Sequence, residues 1–290
     1  MKIENFKLKI VFFGSSKFVI PIIEVLNKNF NLCLVITTEK KSTDPVPSYC
    51  IKSKVCYYVV TDFGKKITFN KVKEISPDIG ILASFGAIVP KSVLDIFKYG
   101  VLNIHPSLLP KYRGPSPVQA AILNGDKKTG VTIIKLDDQV DHGPTLTQKE
   151  ELIKENDTAE SLYERLFKLA SSSIVRTIEL YLKEEIKPRE QNHKQATFTK
   201  MLTRKDGFID TQSPQILDRM IRAYHPWPGA WTQIRINDKG LRIKFLPDKK
   251  IQVEGKKPMS YKDFLNGYPN LNPVILNRQS LFQDLSSIRT

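Results

Sequence analysis

The stretch Lys9-Ile10-Val11-Phe12-Phe13-Gly14-Ser15-Ser16, continued by Phe18 to Leu26, decides the fold class. Lys9 to Phe13 predicts a short buried strand, Gly14-Ser15-Ser16 a turn, and Phe18 to Leu26 a helix with apolar residues on one side. Strand, turn and helix in that order open an α/β unit. Outward from it, Asn31 to Thr37 (NLCLVIT), Val55 to Val60 (VCYYVV) and Ile79 to Ala83 (IGILA) are further β-rich runs, with a helix predicted from Lys65 to Ile75. Strands alternating with helices predict a mainly parallel sheet covered on both faces.

Gly100 to His105 reads as a strand stopped by Pro106, and Val118 to Leu123 as a helix. Thr132 to Leu136 and Thr145 to Glu151 read as a strand pair joined by Asp137 to Pro144. Residues 157–182 form a long amphipathic helix, capped by Asp157 or Thr158, with Leu162, Leu166, Leu169 and Ile174 as its buried stripe. Pro188 to Thr203 is polar and aperiodic, as a linker is. Beyond it come a helix from Pro214 to Tyr224 and short strands at Trp231 to Ile236, Leu241 to Leu246 and Lys250 to Glu254, with Asn237-Asp238-Lys239-Gly240 as a turn. The expected division is a first domain over 1–188, a linker over 189–203 and a small, mainly β domain over 204–290.

The 290 residues are 41% hydrophobic and 26% charged, which supplies a substantial core and excludes a disordered tail. Of the formal charge of +15, residues 1–190 carry +6 and residues 191–290 carry +9, so the last third is more than twice as basic per residue. Such an excess concentrates polyanions such as nucleic acid or an acidic membrane surface, although a solvated Lys-rich surface produces it too. Cys33, Cys50 and Cys56 form no C-x-x-C pair and have no His at ligand spacing, which argues against a disulfide framework and against a metal site. The apolar run Ile10 to Phe13 is too short for a signal segment or a spanning helix. A monomeric cytoplasmic enzyme with no membrane role is expected.

Gly14 follows the first strand, where a dinucleotide fold places its phosphate turn, but no G-x-G-x-x-G is present, so a plain βα turn is the reading. Asn103 and His105 are the densest chemical signal. Two residues apart on an extended strand, they leave the same face at the carboxyl end of a parallel strand, where open α/β sheets bind ligands. An amide that donates to a developing oxyanion and an imidazole that relays a proton together suit attack of an amine on a carbonyl. The imidazole needs a carboxylate to orient it, and Asp137, Asp138 and Asp141 are the candidates, Asp141 standing in the Gly- and Pro-containing turn VDHGP.

NIHPSLLPKYRGPSP (Asn103 to Pro117), followed by TGVTIIKLDDQVDHGP (Thr129 to Pro144), resembles the folate-dependent formyltransferases. The resemblance implies a Rossmann-like catalytic domain. It also implies transfer of formyl from 10-formyltetrahydrofolate to a primary amine without metal, with Asn103, His105 and Asp141 as the catalytic residues. Ser84 to Pro90 is similar to the family's folate-side loop, which holds the pterin largely through backbone groups. Ser107 to Pro110 and Asp137 to Asp141 resemble the other walls. The folate contacts so implied are Phe85, Gly86, Ile88, Ser107, Leu108, Leu109, Pro110, Asp137 and Val140, with the side chains of Phe85 and Ile88 read as core.

Lys200 to Asp210, Ile221 to Trp231 and Gly255 to Ser260 are similar to the linker and C-terminal domain of the branch that formylates initiator methionyl-tRNA. A UDP- or dTDP-amino-sugar acceptor is the alternative. Gly14, Lys40, Lys41, Arg113, Arg242, Lys244, Lys256 and Lys257 are the expected acceptor contacts, with a loop-bracing ion pair the other reading of Arg113. The chain departs from that branch twice. Thr37 to Tyr49 is short and lacks Gly, where tRNA-directed members carry a long basic insertion. About twenty residues run from Leu241, the start of the strand ending at Leu246, to the helix-like Tyr261 to Leu265, room for roughly one more strand, so the family's oligonucleotide-binding (OB-like) barrel is expected in truncated form.

Overall fold

The computed structural model describes residues 8–61, 66–209, 214–236 and 239–268. They divide into two compact units. The first holds the described residues up to Pro117 together with Lys128–Leu152 and Tyr163–Thr199; the second holds Val118–Lys127, Ile153–Leu162 and those from Lys200 onward.

Seven strands build the first unit: β1 (Lys9–Gly14), β2 (Asn31–Thr37), β3 (Tyr57–Val59), β4 (Ile79–Ala83), β5 (Val101–His105), β6 (Lys128–Lys135) and β7 (Thr145–Leu152). They lie in the order β3-β2-β1-β4-β5-β6-β7. The first five are parallel, whereas β6 runs against β5 and β7 against β6. Every residue of β5 is buried, as expected of a central strand with both faces covered. The chain reverses its winding between β1 and β4, the switch point at which open α/β sheets form their ligand crevice. Val11, Phe13, Leu34, Ile36, Phe85, Phe97 and Val101 belong to one core cluster, and the Phe13 ring packs edge-on against Phe85 at 5.6 Å.

Helix α1 (Ile20–Asn29) follows β1 through a 3-10 turn over Lys17–Val19. Residues 37–49, read from sequence as a loop, instead contain the start of α2 (Pro45–Ser53). Two prolines in its first turn hid it, yet proline is tolerated there because those N–H groups have no helical partner. A carboxylate takes over part of that capping: Glu39 accepts from Val46 N with one oxygen and from Ser16 N with the other, both at 2.8 Å. The predicted helix near 65–75 is α3 (Lys66–Ile75), its expected first residue Lys65 lying outside the described residues. A four-residue helix, α4 (Lys91–Leu94), leads toward β5.

β6 begins four residues before its predicted start. Gly130 explains the extension, since a Cβ there would lie 2.2 Å from Lys149 O and 2.5 Å from the Leu108 side chain. Helices α5 (Pro117–Leu123) and α6 (Ala159–Leu182) match their predicted positions. Of the two cap candidates for α6, Thr158 accepts from Ser161 N, while Asp157 binds Lys154 N and the Ser161 hydroxyl.

The polar segment predicted as a linker is hydrogen-bonded through much of its length. Arg189 exchanges both backbone bonds with Thr145, and Thr197 and Thr199 bracket Arg113. In the second unit, α7 (Pro214–Ala223) precedes an antiparallel sheet of β8 (Ala230–Ile236), β9 (Lys239–Leu246), β10 (Lys250–Val253) and β11 (Met259–Ser260) in the order β11-β10-β9-β8, followed by α8 (Tyr261–Gly267). Two short strands follow β9, where the spacing left room for roughly one, giving a four-stranded antiparallel sheet among the described residues. Asn237 and Asp238 of the predicted turn lie outside the described residues. At the entry to this unit Asp206 closes a capping box with Thr203 and pairs with Lys200, which pulls its carboxyl down to about 2. No helix among the described residues is long and apolar enough to cross a membrane.

Candidate active site

Asn103 and His105 occupy alternate positions on β5, both buried. The β6–β7 connection folds back so that Asp141 meets them. Its Oδ1 accepts from Asn103 Nδ2 at 3.0 Å, and its Oδ2 accepts from Gly114 N at 2.8 Å and stands 3.4 Å from His105 Nδ1. Of the candidate carboxylates, Asp141 is the one that meets Asn103 and His105, whereas Asp137 accepts from His142 Nδ1 at 2.6 Å and from Gln139 N. His105 Nε2 faces the Tyr112 carbonyl at 2.9 Å, and because a carbonyl only accepts, that nitrogen carries a proton.

Asp141 holds φ at 49°, a left-handed conformation that Asp tolerates better than most side chains. Two residues on, a Cβ on Gly143 would lie 1.9 Å from Lys135 O, so only glycine lets the turn close against β6. The opposite loop, 107–114, is fixed by β6 and β7. Thr132 Oγ1 donates to Ser107 O at 2.6 Å and accepts from Leu109 N and from Gln148 Nε2, which also donates to Leu109 O. Ser107 Oγ is committed to Lys111 O.

The expected folate-side residues divide by exposure. Phe85 is core, as read. Ile88, also read as core, is 81% exposed, and Val140 is 59% exposed. Gly86 is exposed at φ 74°, with nothing within 4 Å of a Cβ placed on it. Leu109 is buried, and Leu108 and Pro110 are half-buried.

Among the expected acceptor contacts, Arg113 resolves to bracing. It is 3% exposed, and its guanidinium donates to Gln191 Oε1 and His193 Nδ1. Gly14 acts in packing, since a Cβ would lie 2.9 Å from Ala83 O. Lys40, Lys41, Lys244, Lys256 and Lys257 are exposed, and half-buried Arg242 lies over the Trp231 ring at 4.9 Å. Sequence reasoning passed over Thr132, Gln148 and Gln191, polar side chains whose partners are distant along the chain. No group of three or more His, Cys, Asp or Glu suited to a metal exists among the described residues.

Residues 8–178 match the family described as Formyl transferase, and residues 201–248 match its C-terminal domain. A methionyl-tRNA formyltransferase of Roseiflexus sp. (strain RS-1) is 38% identical over 239 residues, covering 79% of this chain and 74% of the relative. One from Fusobacterium nucleatum subsp. nucleatum is 31% identical over 300 residues, covering 90% and 97%. A sugar N-formyltransferase structure from a Shewanella species superposes with a TM-score of 0.66 at 17% identity, over 83% of this chain and 98% of that one, a likeness of fold.

Proposed function

The chain belongs to the formyl transferase family, and we propose that Asn103, His105 and Asp141 carry its reaction, transfer of a formyl group from 10-formyltetrahydrofolate to the free amino group of initiator methionyl-tRNA. That it is a folate-dependent N-formyltransferase, with methionyl-tRNA as acceptor, follows from the family and from relatives 38% and 31% identical to it over the aligned residues. The observation that carries the assignment to the trio is the Asp141 carboxylate, which meets the amide, the imidazole and the Gly114 N–H within one buried turn.

10-Formyltetrahydrofolate supplies the electrophilic formyl carbon. The residues present suit such a substrate, because Ile88 and Val140 hold apolar side chains out in solvent at 81% and 59% exposure, where an aromatic heterocycle would cover them. Gly86, Ser107, Leu108, Leu109, Pro110 and Asp137 complete the proposed folate contacts. Asn103 spends one N–H of its amide on Asp141 and keeps the other for the oxygen that gains charge as the amine adds. His105 is tethered through Nε2 to Tyr112 O, which leaves Nδ1, at a long 3.4 Å from Asp141, as the nitrogen that changes partners and takes the amine's proton. Asp141 orients that ring and stabilises the imidazolium that results, which would return the proton to the folate N10 as the bond from the formyl carbon to N10 breaks and tetrahydrofolate leaves.

Lys40, Lys41, Arg242, Lys244, Lys256 and Lys257 are assigned to phosphate contacts that position the tRNA without reading its sequence. The enzyme works as a monomer in the cytoplasm.

The test is formyl transfer to charged initiator methionyl-tRNA, beside a panel of UDP- and dTDP-amino sugars, with Asn103→Ala as control. Transfer to the tRNA that disappears in the control is expected. Transfer to a sugar alone would overturn the acceptor, and full activity in the control would overturn the trio.

A further inference from the structure

We propose that Gln191 is a positioning residue for formyl transfer: its side-chain amide locks the Asp141 turn to the loop that carries Arg113 and Gly114, and so sets the direction of the Asp141 carboxylate. The inference rests on the reading of Asp141 given above and extends it to a residue in the segment that composition assigned to a linker.

Gln191 is 7% exposed and every hydrogen-bonding position of its amide is used. Nε2 donates to Asp141 O at 2.9 Å and to Gly143 O at 2.7 Å, while Oε1 accepts from Arg113 Nε at 3.3 Å and Nη2 at 2.8 Å. The bonds close a circuit. Gln191 holds the Arg113 side chain, the next residue Gly114 donates its N–H to the Asp141 carboxylate, and the Asp141 carbonyl returns to Gln191. An aspartate at φ 49° needs such support, because the left-handed backbone is held only where the surroundings over-determine it. The turn also has no slack, since Gly143 already sits against Lys135 O. A misplacement of about 1 Å in a reacting constellation costs about a hundredfold in rate.

Two substitutions test this. Gln191→Glu replaces both donors with a carboxylate oxygen facing two carbonyls, while the Arg113 guanidinium keeps a partner that favours folding. Gln191→Asn keeps the amide but, one methylene shorter, cannot span the two loops. Steady-state and single-turnover formylation of methionyl-tRNA are expected to show kcat down about ten- to a hundredfold, with KM for 10-formyltetrahydrofolate within about twofold and the thermal midpoint lowered by a few degrees while the variant stays folded at the assay temperature. Combined with Asp141→Asn, either substitution is expected to add no further loss, because Gln191 acts through Asp141.

Parental kcat in a folded variant overturns the inference, and so does a double variant in which the losses multiply. Should Gln191→Glu fail to fold, Gln191→Asn decides by the same criteria; collapse of both with unaltered kcat in the folded fraction overturns the proposal. Full activity in Asp141→Asn alone strikes first at the reading of the trio, and this inference falls with it.

Discussion

Asp141 serves three partners with two oxygens, and none of the three is interchangeable. Replacing it with Asn puts an NH2 where Gly114 N or Asn103 Nδ2 now donates, so a donor faces a donor whichever way the amide turns. Asp141→Asn should therefore lower the single-turnover rate at least as far as Asn103→Ala. For the latter, loss of one oxyanion donor corresponds to about 2.7–4 kcal/mol of barrier, or about a hundred- to a thousandfold. Both variants should unfold near the parent temperature, and a rate within tenfold of the parent in either would remove that residue from the chemistry. Asn103 and His105 were legible because alternation on a strand fixes the face a side chain leaves. The residues alone left Asp137, Asp138 and Asp141 open as the carboxylate partner of His105, and it was the family resemblance that pointed to Asp141. Gln191 and Arg113 were invisible as a pair, because residues 78 apart in sequence meet only through the fold.

At the level of single elements, the two prolines of α2 concealed a helix, and the Glu39 carboxylate that helps to start it comes from the connection just after β2 rather than from the helix itself. The strands were legible almost to the residue where apolar runs are buried on both faces, as in β5, and less so where a glycine sits inside the strand, as in β6. Replacing Thr158, the cap of α6, with Ala should cost about 1 kcal/mol, read as a lower denaturant midpoint at unchanged slope. Asp206 adds a pH signature. Its carboxyl lies at about 2 in the folded chain against an ordinary 3.8, held down chiefly by the hydrogen bond from Lys200 and by those from Thr203. A depressed acid stabilises the fold above its unfolded value and loses that contribution as pH falls through the folded one. The stability difference between the parent and Asp206→Asn should accordingly be constant above about pH 5 and should close as pH falls from about 4 toward 2. A difference that persists unchanged at pH 2 would refute the assignment.

For the molecule as a whole, the charge of +15 acts through screening. If Lys256 and Lys257 touch phosphate, replacing both with Glu should raise KM for methionyl-tRNA and leave KM for 10-formyltetrahydrofolate unchanged. It should also flatten the dependence of log KM on log salt by about 0.9 for each phosphate that the protein no longer neutralises. An unchanged slope would return these lysines to the solvated surface. The α/β class was legible from alternating strands and helices, and the small antiparallel second sheet from the short alternating runs after Trp231. The extent of the first unit was not, because composition marks polarity rather than attachment. Arg189 pairs with Thr145 and Thr199 with Arg113, so the first unit holds its chain as far as Thr199. That fastening bears on how such enzymes diversify. An exchange of C-terminal modules by recombination that cuts at the compositional boundary near residue 188 would carry Gln191 away with the departing piece, whereas a cut after Thr199 would leave the Asp141 turn and its Gln191 support together. The crossover point, more than the identity of the incoming module, would then decide whether a hybrid retains turnover.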